Sequence, residues 1–263
     1  MVDITGQLIA KKNDGVGYII LNNQERRNAM TFEMWRDLPN VLNDYDADDD
    51  IRVVVISGKG RKAFCAGADI SQFEKQRASE EATRIYNDTA SKAAIGLAKI
   101  NKPTIAKIEG FCIGGGLGIA MCCDIRIAND ISSFAVPAAK LGLGYGHEGL
   151  KRLVDVVGPS VAKEIFFTAR QFTAHEALGM GIINRIVPRA VLDSYVSEYA
   201  NRIAENAPLT VHAAKIVIDE LMKGENIDYK LCEKVVSDCF ASEDYQEGRK
   251  AFMEKRKPMF KRR

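Results

Sequence analysis

The sequence predicts an α/β fold, with one mixed core over residues 1–195 and a helical segment over residues 196–263. Three observations carry this prediction. Short β-branched runs bounded by glycine fill the early part of the 263-residue chain, and amphipathic patterns at helical spacing take over from Ser160. No repeat or low-complexity linker separates the two textures. With 46% hydrophobic and 27% charged residues, the chain has a globular composition and enough length to bury one or two cores.

The elements follow in order. "QLIAKKNDGVGYIILN" alternates apolar and polar residues around Asn-Asp-Gly, which predicts a hairpin. Thr31 then caps a helical stretch, "TFEMWRDLPNVLNDYDADD", with Glu33 in its first turn. "IRVVVISG" is a β-branched run ending at Gly58, the pattern of a strand buried on both faces. A loop and a charged helix span about 73–99, "PTIAKIEG" gives a strand after Pro103, and "DIRIAN" gives another. Five later stretches, "VAKEIFFTA", "TAHEALGMG", "AVLDSYVSEYANRIAEN", "PLTVHAAKIVIDELMKG" and "EDYQEGRKAFMEKR", have helical periodicity.

Bulk properties exclude several functions. Thirty-seven basic and 35 acidic residues leave a net charge of +2, too balanced for nucleic acid or an anionic membrane to be the partner of the whole chain. "KGRK" (59–62) and "EKRKPMFKRR" (254–263) are locally basic, as solvated surface or as contacts to a phosphate-bearing ligand. The six cysteines show no CxxC pair and no zinc-like spacing, so they read as reduced thiols and no metal is expected. The opening residues lack the apolar stretch of a signal peptide, and no run approaches about 18 apolar residues; the expectation is a soluble cytoplasmic protein.

Chemistry enters at "IEGFCIGGGLGIAMCCDI" (108–125), where four glycines occupy the five positions 114–118 at the start of a helix. Glycine is a poor helix former, so something outweighs its entropic cost there. Two readings stand. The bare backbone lets a carbonyl oxygen approach the free N–H groups at the helix start, with Gly115 as donor to a developing oxyanion. Alternatively, the small residues allow close packing of helix on strand. "GKGRKAFCAGADIS" (58–71) again places glycine and alanine between a strand and a helix, with Asp69 as the helix cap. Two such turns can supply two amides to one oxygen, each worth about 3–4 kcal/mol to a transition state.

"KAFCAGADI" (62–70) and "GFCIGGGLGIAMCCDIRIA" (110–128), together with "ERRNAM" (25–30) and "AFMEKRK" (251–257), resemble the crotonase, or enoyl-CoA hydratase/isomerase, family over essentially the whole chain. The resemblance implies a spiral of ββα turns and a helical C-terminal segment that forms homotrimers or dimers of trimers. It implies a substrate carried as a coenzyme A thioester, as in fatty acid metabolism, with no permanently bound cofactor. Its carbonyl would sit between the amides of Ala68 and Gly115. Arg26, Arg27 and Ala29, the backbone from Ala66 through Asp69 to Ile70, and Phe252 with Lys255 of a neighbouring subunit would hold the CoA.

Family hydratases carry two glutamates, at positions that correspond here to Gly118 and Ala138, and neither residue can move a proton. A general base typically contributes about 10²- to 10⁴-fold, so C–C cleavage of an activated acyl-CoA, by decarboxylation or β-keto hydrolysis, is the expected reaction. Hydration by other residues and silent acyl-CoA binding are the alternatives. "PAAKLGLGYGHEGLKRL" (137–153) offers replacements: His147 and Glu148 in a glycine-flanked loop, as acid or base or as plain surface residues. Tyr145 falls where the family's methylmalonyl-CoA decarboxylase branch has a functional tyrosine, although that branch has histidine in place of Ala68. "GYGHEG" (144–149) also satisfies GxGxxG, but "PAAKLGL" is a poor strand and Glu164 lies in a helical pattern, so a dinucleotide site is not expected. Cys65 reads as a structural thiol.

Overall fold

In the computed structural model, which describes residues 2–3, 6–72, 76 and 78–261, the hairpin forms where its turn chemistry puts it. β1 (Val2–Asp3) and β2 (Leu8–Asn13) pair antiparallel, as do β2 and β3 (Val16–Leu21). Asp14 and Gly15 close the turn with φ of 47° and 79°, the left-handed region such tight turns demand. α1 (Phe32–Ala47) starts at Thr31, whose hydroxyl accepts the Met34 N–H.

From there the chain repeats one unit three times. It lays a strand in a large sheet, then a short strand in a second sheet, then a helical stretch. The units are β4 (Val53–Gly58), β5 (Ala63–Cys65) and α2 (Glu80–Lys99); β6 (Thr104–Ile108), β7 (Phe111–Ile113) and α3 (Gly115–Cys122); β8 (Ile125–Asn129), β9 (Ser133–Ala135) and α4 (His147–Thr168). Short turns of 3-10 helix, Ile70–Gln72 and Pro137–Leu141, intervene in the first and third units. β10 (Phe172–Thr173), α5 (Ala174–Gly179), β11 (Arg185–Val187) and four-turn α6 (Leu192–Ala204) complete the core. The large sheet has the order β1-β2-β3-β4-β6-β8-β11 and the small one β10-β9-β7-β5, parallel from β3 to β11 and from β9 to β5.

Helices cover both faces of the large sheet, which is why the β4 sequence is apolar without alternation. On one face Val16, Val53, Val55, Ile105 and Ile127 pack against Leu192, Val196 and Ala200 of α6. On the other, Val54, Ile56 and Ala106 join α1, α2 and α3 through Leu38, Leu42, Leu97 and Leu117.

The C-terminal part consists of α7 (Pro208–Leu221), α8 (Tyr229–Ala241) and α9 (Glu243–Met253). An apolar groove of about 1030 Å³ lies among them, lined by Ala213, Val217, Phe240, Tyr245, Phe252 and Phe260 among others.

Several sequence expectations need correction. The helical texture starts at His147 rather than Ser160, because Gly146 in extended conformation caps a helix that breaks at Gly158 and restarts with Pro159 at its first position. His147 and Glu148 therefore occupy a first helical turn, not a loop. The side chain of Glu148 lies outside the described residues. β1, β5, β7, β9, β10 and β11 have no counterpart among the expected strands, and neither does α8 among the expected helices. The charged helix begins at Glu80, capped by Ser79, and residues 73–75 and 77 at the start of its expected span lie outside the described residues.

Candidate active site

β5 and β7 lie side by side in parallel, with Cys65 opposite Cys112, so the two small-residue bends leave the same edge of the small sheet. In parallel sheets the carboxyl ends of the strands are where helix starts and loops converge to form ligand crevices. Here the backbone is held open by two unusual conformations, φ of 105° at Gly67 and φ 54°, ψ −118° at Gly114. A side chain at either would be strained.

The two bends face each other. A Cβ added to Gly67 would stand 3.6 Å from the Gly115 nitrogen, and one added to Gly115 would stand 3.6 Å from the Ala68 nitrogen. The Met30 N–H donates to Gly67 O at 2.8 Å and the Asp69 N–H donates to Met30 O at 2.9 Å, a parallel bridge centred on Ala68. In such a bridge the residue between the two bonds turns its own N–H to the opposite side. That side faces α3. Gly115 is the first residue of α3, whose opening N–H groups have no intrahelical acceptor. Neither the Ala68 nor the Gly115 N–H has a backbone acceptor among the described residues outside regular helices and strands.

The glycines divide the two roles that the sequence leaves open. A Cβ on Gly116 would meet Cys65 O at 2.2 Å and Cys65 Cβ at 2.8 Å, so this residue lets α3 sit directly on β5. Gly115 borders the gap between the bends, with the Trp35 ring behind it at 3.4 Å from a Cβ position. Gly118 is exposed, and a Cβ there would meet nothing within 4 Å. Ala138 is buried in the 3-10 turn.

Other predicted residues are placed as follows. Tyr145 comes to the site: its hydroxyl lies 4.0 Å from a Cβ position on Gly114, and its ring stands edge-on to Phe166 at 4.9 Å. His147 is exposed at the start of α4, with no hydrogen bond to either bend. The loop carrying Arg26, Arg27 and Ala29 is tied to the first bend, since the Ala66 N–H donates to Arg27 O and the Asn28 amide donates to Lys59 O and Ala63 O. The Arg27 guanidinium lies 4.9 Å over the Phe111 ring, Arg26 is exposed and Ala29 is buried. Asp69 Oδ1 accepts from the Ser71 N–H and hydroxyl, capping the turn that begins with exposed Ile70. Phe252, 82% exposed, lies in the last turn of α9 and Lys255 just beyond its C-cap Glu254, and the groove there shares no lining residue with the bends.

Three neighbours of the bends escape sequence reasoning. Met30 fixes the Gly67 carbonyl, Trp35 backs Gly115, and buried Tyr86 accepts the Trp35 Nε1–H at 3.1 Å. Nothing local marks them, because each meets the site only through tertiary packing. Burial pushes the Cys65 thiol up to about 12, so it remains protonated and is no nucleophile near neutral pH. Among the described residues, "GYGHEG" follows a 3-10 turn instead of a strand, and Glu164 lies within α4, so the dinucleotide context is missing. No described helix is long and apolar enough to cross a membrane.

The sequence matches a family model described as enoyl-CoA hydratase/isomerase over residues 11–263. It is 35% identical over 252 residues to a short-chain-enoyl-CoA hydratase of Clostridium acetobutylicum, covering 95% of each chain. It is 32% identical to a crotonyl-CoA hydratase of Syntrophomonas wolfei, covering 96% of this chain and 97% of the relative. Among solved structures, an enoyl-CoA hydratase/carnithine racemase from Magnetospirillum magneticum superposes with a TM-score of 0.93 at 34% identity, covering 98% of this chain and 97% of the other.

Proposed function

Since this chain belongs to the enoyl-CoA hydratase/isomerase family, we propose that it processes an acyl-CoA whose thioester oxygen sits between the N–H groups of Ala68 and Gly115. The observation that carries this reading is the facing of the two bends, each amide within 3.6 Å of a carbon position on the other. Negative charge moves onto the thioester oxygen when an enolate forms. Two fixed amides favour that charge without reorienting water. Arg26, Arg27, Ala29 and the backbone of Ala66, Asp69 and Ile70 hold the CoA, and Phe252 with Lys255 reach it from a neighbouring subunit of a homotrimer. The enzyme acts in the cytoplasm.

The reaction that completes the cycle depends on how protons move. The printed activities of the relatives favour hydration: water adds to the β-carbon of an enoyl thioester, the double-bond electrons reach the oxygen, and the α-carbon takes a proton. Gly118 and Ala138, which stand where family hydratases have glutamate, favour C–C cleavage. Loss of CO₂ from a malonyl-type thioester leaves the bonding electrons in the enolate without a base, after which the α-carbon is protonated. In this route the Tyr145 hydroxyl orients the departing carboxylate, and His147 exchanges the proton with solvent.

One set of assays tests both routes. Crotonyl-CoA, a malonyl-type CoA and a cyclic β-keto acyl-CoA are offered to the wild type and to Tyr145→Phe and His147→Ala. Turnover of the malonyl-type or β-keto substrate, lost with Tyr145→Phe, supports cleavage. Efficient hydration of crotonyl-CoA assigns the activity of the relatives. Turnover of none, with tight acyl-CoA binding, leaves a binding protein and sinks both routes.

A further inference from the structure

Resting on the oxyanion reading just given, we infer that Cys65 is a positioning residue that sets both amides at once, one through its thiol and the other through its backbone. The Gly67–Ala68 peptide carries the Ala68 N–H on one edge and the Gly67 carbonyl on the other. That carbonyl accepts from the Met30 N–H at 2.8 Å and from the Cys65 thiol at 3.5 Å. Two inward donors hold the peptide plane and leave its N–H pointing outward. Hydrogen bonds to a peptide oxygen also polarise the unit, which makes its N–H a better donor.

The second amide depends on the same residue. Gly116 rests on the Cys65 carbonyl and Cβ so closely that no side chain fits between them, and Gly116 directly follows Gly115. The height of α3 above β5, and with it the place of the Gly115 N–H, is therefore set by the Cys65 backbone. Cys65 is fully buried, and burial keeps its proton on sulfur at every working pH, so its donor role does not switch off. It touches no substrate. Met30 donates through its backbone, and only proline, which would also fix φ, would remove that N–H, so the thiol is the donor that a side-chain substitution tests cleanly.

The test compares Cys65→Ala, which keeps the Cβ under Gly116 and deletes the donor, with Cys65→Ser, which restores a hydroxyl donor. Butyryl-CoA labelled at the thioester carbonyl carbon is bound to the full-length protein, and its carbonyl stretch is read by isotope-edited infrared spectroscopy. The dissociation constant and melting temperature are measured alongside. In the wild type the stretch moves to lower frequency on binding. In Cys65→Ala the displacement shrinks while the dissociation constant stays within about 3-fold, and turnover of any substrate the wild type accepts falls about 2- to 10-fold, the size of one net hydrogen bond. Cys65→Ser restores the displacement. An undiminished displacement with unchanged turnover in Cys65→Ala overturns the role of Cys65 and leaves the oxyanion pair standing. No displacement in the wild type overturns both. If Cys65→Ala does not fold, Cys65→Ser decides alone: a displacement at least equal to the wild type supports the thiol as donor, and a smaller one overturns it.

Discussion

Three glycines of α3 separate packing from chemistry, and alanine at each reads out a different term. At Gly116 the new methyl meets Cys65 O at 2.2 Å, Cys65 Cβ at 2.8 Å and the Cys65 carbonyl carbon at 2.9 Å. Ordinary carbon contacts lie at about 3.5–4.0 Å, so α3 has to retreat by about 1 Å or more. The obstacle is backbone and cannot rotate away. Overpacking of this kind costs about 1–3 kcal/mol or more, against up to about 1 kcal/mol recovered in helix propensity. At Gly118, an exposed position, the methyl meets nothing within 4 Å. Gly→Ala there stabilises by about 0.4–1 kcal/mol through the unfolded chain. Gly115→Ala meets Trp35 at 3.4 Å and the Ala68 nitrogen at 3.6 Å, contacts that the fold tolerates but that narrow the space between the amides.

The assay is scanning calorimetry paired with butyryl-CoA binding. Each kcal/mol moves the midpoint by about 2–4 °C in a chain of this size, so the Gly118→Ala midpoint stands above that of Gly116→Ala, by about 1 °C at the low end of these ranges and about 16 °C at the high end. Gly115→Ala melts near the wild type and loses thioester polarisation. Gly116→Ala as stable as the wild type would refute the seating of α3 on β5. Unimpaired function in Gly115→Ala would refute the oxyanion site.

Four cysteines are buried, with the thiols of Cys65 and Cys122 pushed up to about 12 and about 11 by burial and those of Cys112 and Cys123 also raised. Native-state alkylation followed by mass analysis is expected to leave these four unmodified until the protein unfolds. Thr31→Ala removes the cap on the Met34 N–H and is expected to cost about 1 kcal/mol, read as a lowered melting point. The Arg256 guanidinium, with the Met259 N–H, holds the Glu247 carboxyl down at about 2 from an ordinary value of 4.5. A depressed folded value means the stabilisation is present above pH 4.5 and is lost as pH falls through about 2. The protection of the Met259 amide, the intrinsic exchange rate divided by the observed rate at the same pH, should therefore fall across that window, and Glu247→Gln should abolish that local pH dependence.

Legibility in the sequence follows the range of the interaction responsible. The hairpin is visible because Asp14 and Gly15 are the residue types its turn needs, and α1 because Thr31 caps it within one helical turn. β4 is visible because both of its faces are covered and its buried run Val53–Ile56 is apolar throughout. The small sheet is not visible: β5, β7 and β9 have three residues each and β10 two, too few to carry a period. α8 does carry a cap signal, since Asp228 accepts the Leu231 N–H, and a reading by caps instead of periodicity would find it. Within the site, the glycine run announces a backbone that must stay bare. Which glycine packs and which borders the reactive gap depends on Cys65 and Trp35, distant in sequence and brought in by the pairing of β5 with β7 and by α1.

On the proposed reading, the same geometry explains how the chemistry of such a fold can change while its oxyanion pair persists. The two amides come from main chain locked by parallel pairing, by the bridge from Met30 and by the contact of Gly116 with Cys65, so any change to them disturbs packing first. Position 118 is exposed and a Cβ there meets nothing within 4 Å, so its side chain can be exchanged with little cost to the fold. On the proposed reading charge stabilisation is thus tied to folding, whereas of the two positions where family hydratases have glutamate, 118 is open and 138 is buried. On that reading, similarity across 95% of the chain at 35% identity bears on the proposed oxyanion pair more directly than on the route of the proton. In the cleavage route proposed for this chain, His147 exchanges the proton with solvent and the Tyr145 hydroxyl orients the departing carboxylate.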